Sequence, residues 1–361
     1  MSRRIILFGP LPPPYGGVAI YMKALVEHLR SSRVRVWTYG GAKPNDKRIR
    51  FIAHRKLGTL PALISEGRDA RILDASHFHL EYPNALLLPV WLTCKRLLGF
   101  AWYKNILDGS LPKRYPHFGR RQRWLFNLAV NRVDEFVVVS EDLRRWLKEE
   151  IGVSRPVRVI PCLMPRGPSA PSEANAVLSN QTEKLIGQYL AHARRICCIG
   201  VFFPTYGFKD VAAAVEQLRN RTGEDIGLIL LDGGFVRDES YRTEVLRGRD
   251  WITVLEKVPN PELYEILKRS DVFVRGFADE SYGISRIEAI WCGLPVVATR
   301  AGETRGMLLY DAGNEEQLIH QLQVALSGSS LEETNLWAER YRQEAEENLH
   351  SVARVLGIEQ G

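Results

Sequence analysis

Acidic residues are scarce in the first half of this 361-residue chain. Residues 1–170 hold 29 Lys and Arg against 13 Asp and Glu, a net of +16, whereas residues 171–361 hold 20 against 29, a net of −9. An imbalance of that size turns the amino-terminal half toward something anionic, with nucleic acid and an acidic membrane surface as the two classes that qualify. Cysteine is scarce too. The five cysteines, at 94, 162, 197, 198 and 292, form neither a CxxC pair nor a Cys/His cluster. That speaks against structural zinc and a disulfide framework, and leaves the thiols as small buried hydrophobes of a reducing compartment. No apolar run is long enough to cross a bilayer: the most apolar segment, Ala85 to Tyr103, is broken by Lys95 and Arg96. The start, MSRRIILFGPLPPP, has a short apolar run that reads as a strand rather than a signal peptide. A cytoplasmic protein is expected, soluble or peripheral at the inner face of the membrane.

The length suffices for two α/β domains, each with its own core. In the first half Ile5–Phe8 reads as a buried strand, followed by Gly16-Gly17 and a helix from about Val18 with Ile20, Ala24 and Leu25 on its inner face. Further strands are expected at Val34–Tyr39, Ser76–Leu80, Trp102–Leu107, Glu135–Ser140 and Val157–Ile160, with Ser140-Glu141 capping a helix over Asp142–Lys148. Pro161–Pro171 holds four prolines and reads as a linker. A helix near Lys184–Arg195 then leads into strands at Ile196–Val201, Leu228–Leu231, Ile252–Leu255, Val272–Val274, Pro295–Thr299 and Met307–Tyr310. The implied domains are residues 1–165 and 176–330. An amphipathic helix over about 331–358 closes the chain.

Residues 272–299, VFVRGFADESYGISRIEAIWCGLPVVAT, read as strand, loop, helix, strand. The helix opens at or just after Gly283 and stops at Gly293-Leu294-Pro295, so its first N–H groups face whatever anion lies above the loop. Glu280 precedes the helix and Glu288 lies inside it, with seven residues between them. The two can reach different parts of one ligand laid across the helix terminus. The plainer alternative is an acidic residue that complements the helix dipole, plus a half-buried Glu288 paired with Arg286 or Arg300.

Glu280-SYGISRI-Glu288, followed by AIWCGLPVVAT, resembles the donor-binding signature of the retaining glycosyltransferases of family four. PPPYGGVAIYMKAL resembles their amino-terminal glycine loop. The resemblance spans essentially the whole chain. It implies the GT-B fold, an α/β architecture of two Rossmann-like domains with a cleft between them, and a terminal helix that returns to the first domain, with Trp337 and Tyr341 as its contacts. It further implies a nucleoside-diphosphate sugar as co-substrate, retention of anomeric configuration and no metal. By the same resemblance, Glu280 holds sugar hydroxyls, backbone around Ser281, Tyr282, Gly283 and Ile284 holds phosphate and sugar, and Glu288 holds the ribose. Lys257 and Val258 lie where relatives recognise the base, and Gly16 and Gly17 approach the donor from the other domain.

The chain departs from the family where charge matters. Typical relatives carry an Arg and a Lys that neutralise the diphosphate. Val201 and Tyr206 stand at those positions here. Such electrostatic stabilisation is a large catalytic term, worth roughly several kcal/mol per group. Lys209 and Arg275 are the nearby cations that could substitute, unless Lys209 is merely a solvated helix-start residue and Arg275 a partner of Asp279. Asp108-Gly109 stands where relatives often have His-Gly, which alters any role in placing the acceptor. His77 or His79 could face the ligand, or simply fill the core. Between Lys113 and Leu128, basic residues alternate with Tyr115, Phe118, Trp124 and Phe126. They suit an anionic membrane surface, or else a helix with Trp124, Leu125 and Leu128 inward and its arginines solvated. No nucleic-acid motif is visible. The expected activity is sugar transfer to a saccharide or lipid-linked acceptor in surface polysaccharide or glycolipid synthesis. A GT-B nucleotide-sugar epimerase and a non-catalytic partner in a polysaccharide assembly complex are the alternatives.

Overall fold

Ile5–Phe8 is buried at every position and forms the inner strand β1 of a seven-stranded parallel sheet in the computed structural model. The structure describes residues 3–13, 16–41, 46–52, 59–80, 87–161, 178–234 and 238–358. The other strands of this sheet are Val34–Thr38 (β2), Ile49–Phe51 (β3), Arg71–Asp74 (β4), Ala101–Ile106 (β5), Glu135–Val138 (β6) and Val157–Val159 (β7). They run in the order β3-β2-β1-β4-β5-β6-β7. Helices Gly17–His28 (α1), Leu60–Glu66 (α2), Leu87–Leu98 (α3), Leu111–Arg114 (α4), Arg120–Val130 (α5) and Glu141–Arg145 (α6) connect them. Parallel neighbours need crossovers, and right-handed crossovers put α2, α3 and α5 on one face of the sheet. There α2 packs on α3, and α3 on α5.

The second sheet has six parallel strands, Arg194–Gly200 (β8), Ile226–Asp232 (β9), Ile252–Glu256 (β10), Val272–Arg275 (β11), Val296–Thr299 (β12) and Leu308–Tyr310 (β13), in the order β10-β9-β8-β11-β12-β13. Its helices are Asn180–Leu190 (α7), Phe208–Thr222 (α8), Glu239–Leu246 (α9), Asn260–Lys268 (α10), Ile284–Trp291 (α11), Glu315–Leu326 (α12) and Leu331–Leu356 (α13). Strand β9 is buried along its entire length, as a strand covered on both faces must be. Phe208, Val211 and Val215 of α8 and Leu318, Ile319 and Leu322 of α12 pack against it and its neighbours. Both sheets change direction beside their first strand, leaving a crevice at the carboxyl ends between β1 and β4, and between β8 and β11.

The chain divides into two units, residues 1–165 with 345–361, and residues 166–344. The last helix therefore belongs to both: Leu349, Val352, Ala353 and Leu356 are buried in the first unit, while Trp337 and Tyr341 pack on Arg305 of the second. Those two aromatics thus differ from expectation. The Tyr341 hydroxyl donates to the Arg305 carbonyl at 2.8 Å, which fixes it in the second unit.

Two elements are displaced from where periodicity put them, and one was not foreseen. The strand expected at Ser76–Leu80 lies earlier, at Arg71–Asp74, because the buried Asp74 at its end breaks the apolar pattern while remaining fully bonded. The short edge strand β3 was not expected. The helix expected over Lys184–Arg195 stops at Leu190, and Arg194-Arg195 begin β8. The proposed linker Pro161–Pro171 lies, beyond Pro161, outside the described residues. Among the described residues no helix is long and apolar enough to cross a membrane.

Candidate functional site

At the crevice of the second sheet, the loops that follow β8 and β11 meet backbone to backbone. Gly207 has φ 73°, and a Cβ there would lie 2.7 Å from the Gly276 carbonyl oxygen, so only glycine permits the approach. Val201 and Phe202 are buried, while Tyr206 turns back and stacks on Phe277, with ring centroids 4.4 Å apart and planes 8° from parallel. The Arg275 guanidinium lies against this pair, 5.3 Å from each centroid. Its Nε donates to Glu280 Oε2 at 2.8 Å, and its Nη1 donates to the Ile199 carbonyl. Arg275 is therefore the partner of Glu280, and not of Asp279, the plainer alternative. Glu280 sits closer because Gly283, with φ 88°, folds the loop back as the N-cap of α11. Burial alone would lower the Arg275 pKa. The Glu280 charge and hydrogen bond outweigh it and hold the guanidinium above its ordinary range.

Helix α11 has no solvated face: Arg286, Ile287, Glu288, Ala289, Ile290 and Trp291 are all buried. Its first N–H groups have no partner within the helix. The carbonyl of Tyr282 is already taken by the Glu303 N–H at 3.0 Å, which pins the loop from below. Glu288 is buried, and Oε1 accepts from the Tyr264 hydroxyl at 3.1 Å. Burial pushes its pKa up to about 7, although the Tyr264 bond pulls the other way. The pairings weighed for it from sequence fall elsewhere. Arg286 bonds the Ala301 and Glu303 carbonyls and Thr299 Oγ1, and Arg300 reaches Asp311 at 2.8 Å.

Beside β9, Lys257 follows β10 with φ 54°, uncommon for a residue with a side chain, and its N–H donates to the Asp232 carbonyl at 2.8 Å. Val258 follows it, half-buried. Lys209, near the start of α8, directs its ammonium to Glu244 at 2.6 Å, a half-exposed pair. The structure thus brings Arg275, Glu280 and Gly283 to the N-terminal end of one buried helix and Glu288 one turn inside it, with Ser281 and Tyr282 in its entry loop and Ile284 as its first residue. It holds Lys209 in solvent.

In the first unit, Gly16 is the N-cap of α1 and Gly17 its first residue, and a Cβ on Gly16 would meet nothing within 4 Å. Asp108 accepts from the Ser110 N–H at 2.9 Å and hydroxyl at 2.6 Å, and from Arg114, so it braces the turn into α4. His79 belongs to the core. Its Nδ1 lies 2.8 Å from Asp74 Oδ2, in a buried network that also holds Ser76, Trp102 and Lys104. On α5, Trp124 is 61% exposed while Phe126 is fully buried beneath Tyr115 and Phe118. Neither arrangement weighed from the sequence describes the whole segment.

Sequence reasoning missed Tyr264, Arg286 and Phe277 as members of the site. Tyr264 comes from α10 with no local pattern to mark it, and the role of Phe277, in the loop after β11, depends on its stacking on Tyr206 of another loop. Arg286 carried a usable signal, an arginine on the apolar stripe beside Ile287.

Two parallel, doubly wound sheets with a glycine-opened helix bearing these carboxylates define a glycosyltransferase of GT-B fold. Residues 15–164 match the profile of Glycosyltransferase Family 4, and residues 189–343 that of Glycosyl transferases group 1. The chain belongs to glycosyltransferase family 4, as a divergent member. An uncharacterised glycosyltransferase of Methanocaldococcus jannaschii is 20% identical over 309 residues, covering 80% of this chain and 77% of that protein. Among solved structures, Anabaena HepE in complex with UDP and glucose superposes with a TM-score of 0.72 at 16% identity, covering 98% of this chain and 99% of its own. Sucrose-phosphate synthase of Thermosynechococcus elongatus gives 0.70 at 17% identity, with 98% of each chain covered. WaaG, a glycosyltransferase involved in lipopolysaccharide biosynthesis, gives 0.66 at 15% identity, covering 98% and 99%.

Proposed function

We propose that this chain transfers a sugar from a nucleoside-diphosphate sugar to a saccharide or lipid-linked acceptor, with retention of configuration and without a metal. The observation that carries this is the arrangement around α11. An N-terminus opened by Gly283 lies between the Arg275–Glu280 pair on one side and buried Glu288 on the other. A diphosphate over the helix terminus meets unpaired N–H groups and the positive end of the dipole. Glu288, one turn further in, accepts from the ribose hydroxyls, and Glu280 from the sugar. Backbone at Lys257 and Val258 faces the base. Arg275 supplies the positive charge that stabilises the departing diphosphate, the role that cations play in relatives at the two positions held here by Val201 and Tyr206. The fold shared with HepE, solved with UDP and glucose, supports a nucleotide-sugar donor. The likeness to WaaG supports surface glycolipid or polysaccharide synthesis. Asp108, braced by Arg114, takes the position at which relatives place the acceptor.

The basic amino-terminal unit supports attachment to the inner face of an anionic membrane. Residues 87–133 hold nine Lys and Arg against one acid, Asp108. Trp124 and Leu97, 61% and 76% exposed, stand on the adjacent helices α5 and α3 with Arg96, Arg120, Arg121 and Arg123 beside them.

A second reading is favoured by buried Val201 and stacked Tyr206: a GT-B protein that binds donor without turning it over. Calorimetric titration with a panel of nucleoside diphosphates, followed by donor hydrolysis assays with EDTA and with lipid-linked acceptor extracts, tests the proposal. Micromolar binding plus EDTA-insensitive turnover is expected. Binding without turnover in any extract selects the non-catalytic reading, and no binding by any nucleotide overturns both.

A further inference from the structure

Arg286 is fully buried, and the donor-site reading gives it no contact with the ligand. Its Nη1 donates to the carbonyls of Ala301 and Glu303, and its Nη2 to Thr299 Oγ1 at 3.0 Å. Its Nε is buried and has no partner among the described residues. A Cβ placed on Gly283 would lie 3.2 Å from that nitrogen, so the unsatisfied N–H sits directly beneath the residue that opens α11. An arginine orphaned in this way is rare in a native core and calls for a compensating group.

Arg275 is a second buried guanidinium at the same helix end. Glu280 pairs with Arg275, and the Glu280 charge also acts on Arg286. Glu303, the next carboxylate, spends its oxygens on Arg305 and on the N–H groups of Thr304 and Arg305. Two buried cations therefore share Glu280 beneath a helix N-terminus that is itself positive. Burial and the neighbouring Arg275 pull the Arg286 pKa down to about 10, still charged at neutral pH.

We propose that Arg275 and Arg286 together form an electropositive floor for the donor's diphosphate, in place of the cations missing at Val201 and Tyr206. Arg275 contacts the phosphate, and Tyr206 and Phe277 are positioning residues that hold it against their stacked rings. Arg286 is a positioning residue as well: it adds charge from below and fixes Gly283 through the 299–303 loop. The assignment rests on the donor-site reading above. One consequence is specific to it. Glu280 competes with the diphosphate for Arg275, so removing its charge strengthens binding of a bare nucleoside diphosphate even though Glu280 holds the sugar of the complete donor.

The test is calorimetry of the full chain with uridine, UMP and UDP, and with the guanosine series alongside. The preference for diphosphate over nucleoside is expected to fall about tenfold or more in Arg275→Met and Arg286→Met. It is expected to be largely retained in Arg286→Lys and to rise severalfold in Glu280→Gln. Should Arg286→Met fail to fold, Glu280→Gln and Arg275→Met decide the matter. An unchanged preference in both overturns the two-arginine floor while the donor site stands. A wild-type chain that binds no nucleotide overturns the donor site and the floor with it.

Discussion

Arg275 Nε donates to Glu280 Oε2 across 2.8 Å, and the two side chains are 11% and 9% exposed. The pair joins the end of β11 to the loop that opens α11, so the residue expected to carry phosphate charge and the one expected to hold the sugar are one unit. A buried pair of this kind is weak support for stability, yet removing one member leaves the other uncompensated, at a cost of about 3–5 kcal/mol. Glu280→Ala is therefore expected to lower the melting temperature. A saturating nucleoside diphosphate should raise it more in the variant than in the wild type, because the anion replaces the lost carboxylate. Equal ligand shifts in thermal denaturation would contradict a phosphate contact at Arg275.

Glu288 makes donor binding pH-dependent. Its pKa in the folded chain is about 7 against an ordinary 4.5, so it is half-protonated near neutrality and accepts fully only above that. Affinity for a nucleoside diphosphate should rise with pH through about 7, and this rise should be absent in Glu288→Gln. Stability runs the opposite way. The folded state holds the proton more tightly, so stability from this group is complete below pH 4.5 and is lost as pH rises through about 7. Calorimetry and denaturant titration at pH 5.5, 7 and 8.5 check both signs.

Tyr264→Phe removes the hydroxyl that donates to Glu288. That bond favours the charged carboxylate, so its loss should move the midpoint of the binding profile up by about 0.5–1 pH unit, equivalent to about 1 kcal/mol. A midpoint that stays in place would remove Tyr264 from the site.

Asp74 anchors the buried polar network of the first unit, with Lys104, His79, Ser76 and Trp102 around it. Burial would raise its pKa, but the charges of Lys104 and His79 and the hydrogen bonds win and hold it well below the carboxylate range. Its contribution to stability is complete above about pH 4 and is lost as the pH falls further. Asp74→Ala removes the buried carboxylate shared by Lys104, His79, Ser76 and Trp102, and should destabilise by about 3–5 kcal/mol. Urea denaturation followed by the fluorescence of Trp91 and Trp102 measures it.

Flotation with liposomes tests the membrane reading. Binding to vesicles rich in phosphatidylglycerol should weaken with salt and fall by about tenfold or more in Arg120→Ala/Arg121→Ala/Arg123→Ala, at about 1 kcal/mol for each arginine. Trp124→Ala should weaken it independently of salt. Indifference to both sets of substitutions removes α5 from any membrane contact.

Much of the second unit was legible because its signals are local. Gly283, the apolar stripe of α11 and the Leu294-Pro295 stop lie within a dozen residues and imply the helix and its open end together. The spacing of Glu280 and Glu288 carried the ligand class. What lay hidden was the partner of each charge. Whether Arg275 meets Asp279 or Glu280 depends on the left-handed turn at Gly283, and Tyr264 and Tyr206 join the site from other elements. Strand β4 was misplaced for a related reason: a run that begins in Arg71 and ends in Asp74 looks like a loop until the partners of the buried aspartate on β5 and in the following loop are known.

The most direct measurement is a crystal structure of the chain with a nucleoside diphosphate found by calorimetry. The diphosphate should lie over the N-terminus of α11 within hydrogen-bonding distance of the Gly283 and Ile284 amides and of Arg275, with the ribose hydroxyls on Glu288. A nucleotide bound elsewhere, or one whose ribose makes no contact with Glu288, would contradict the assignment.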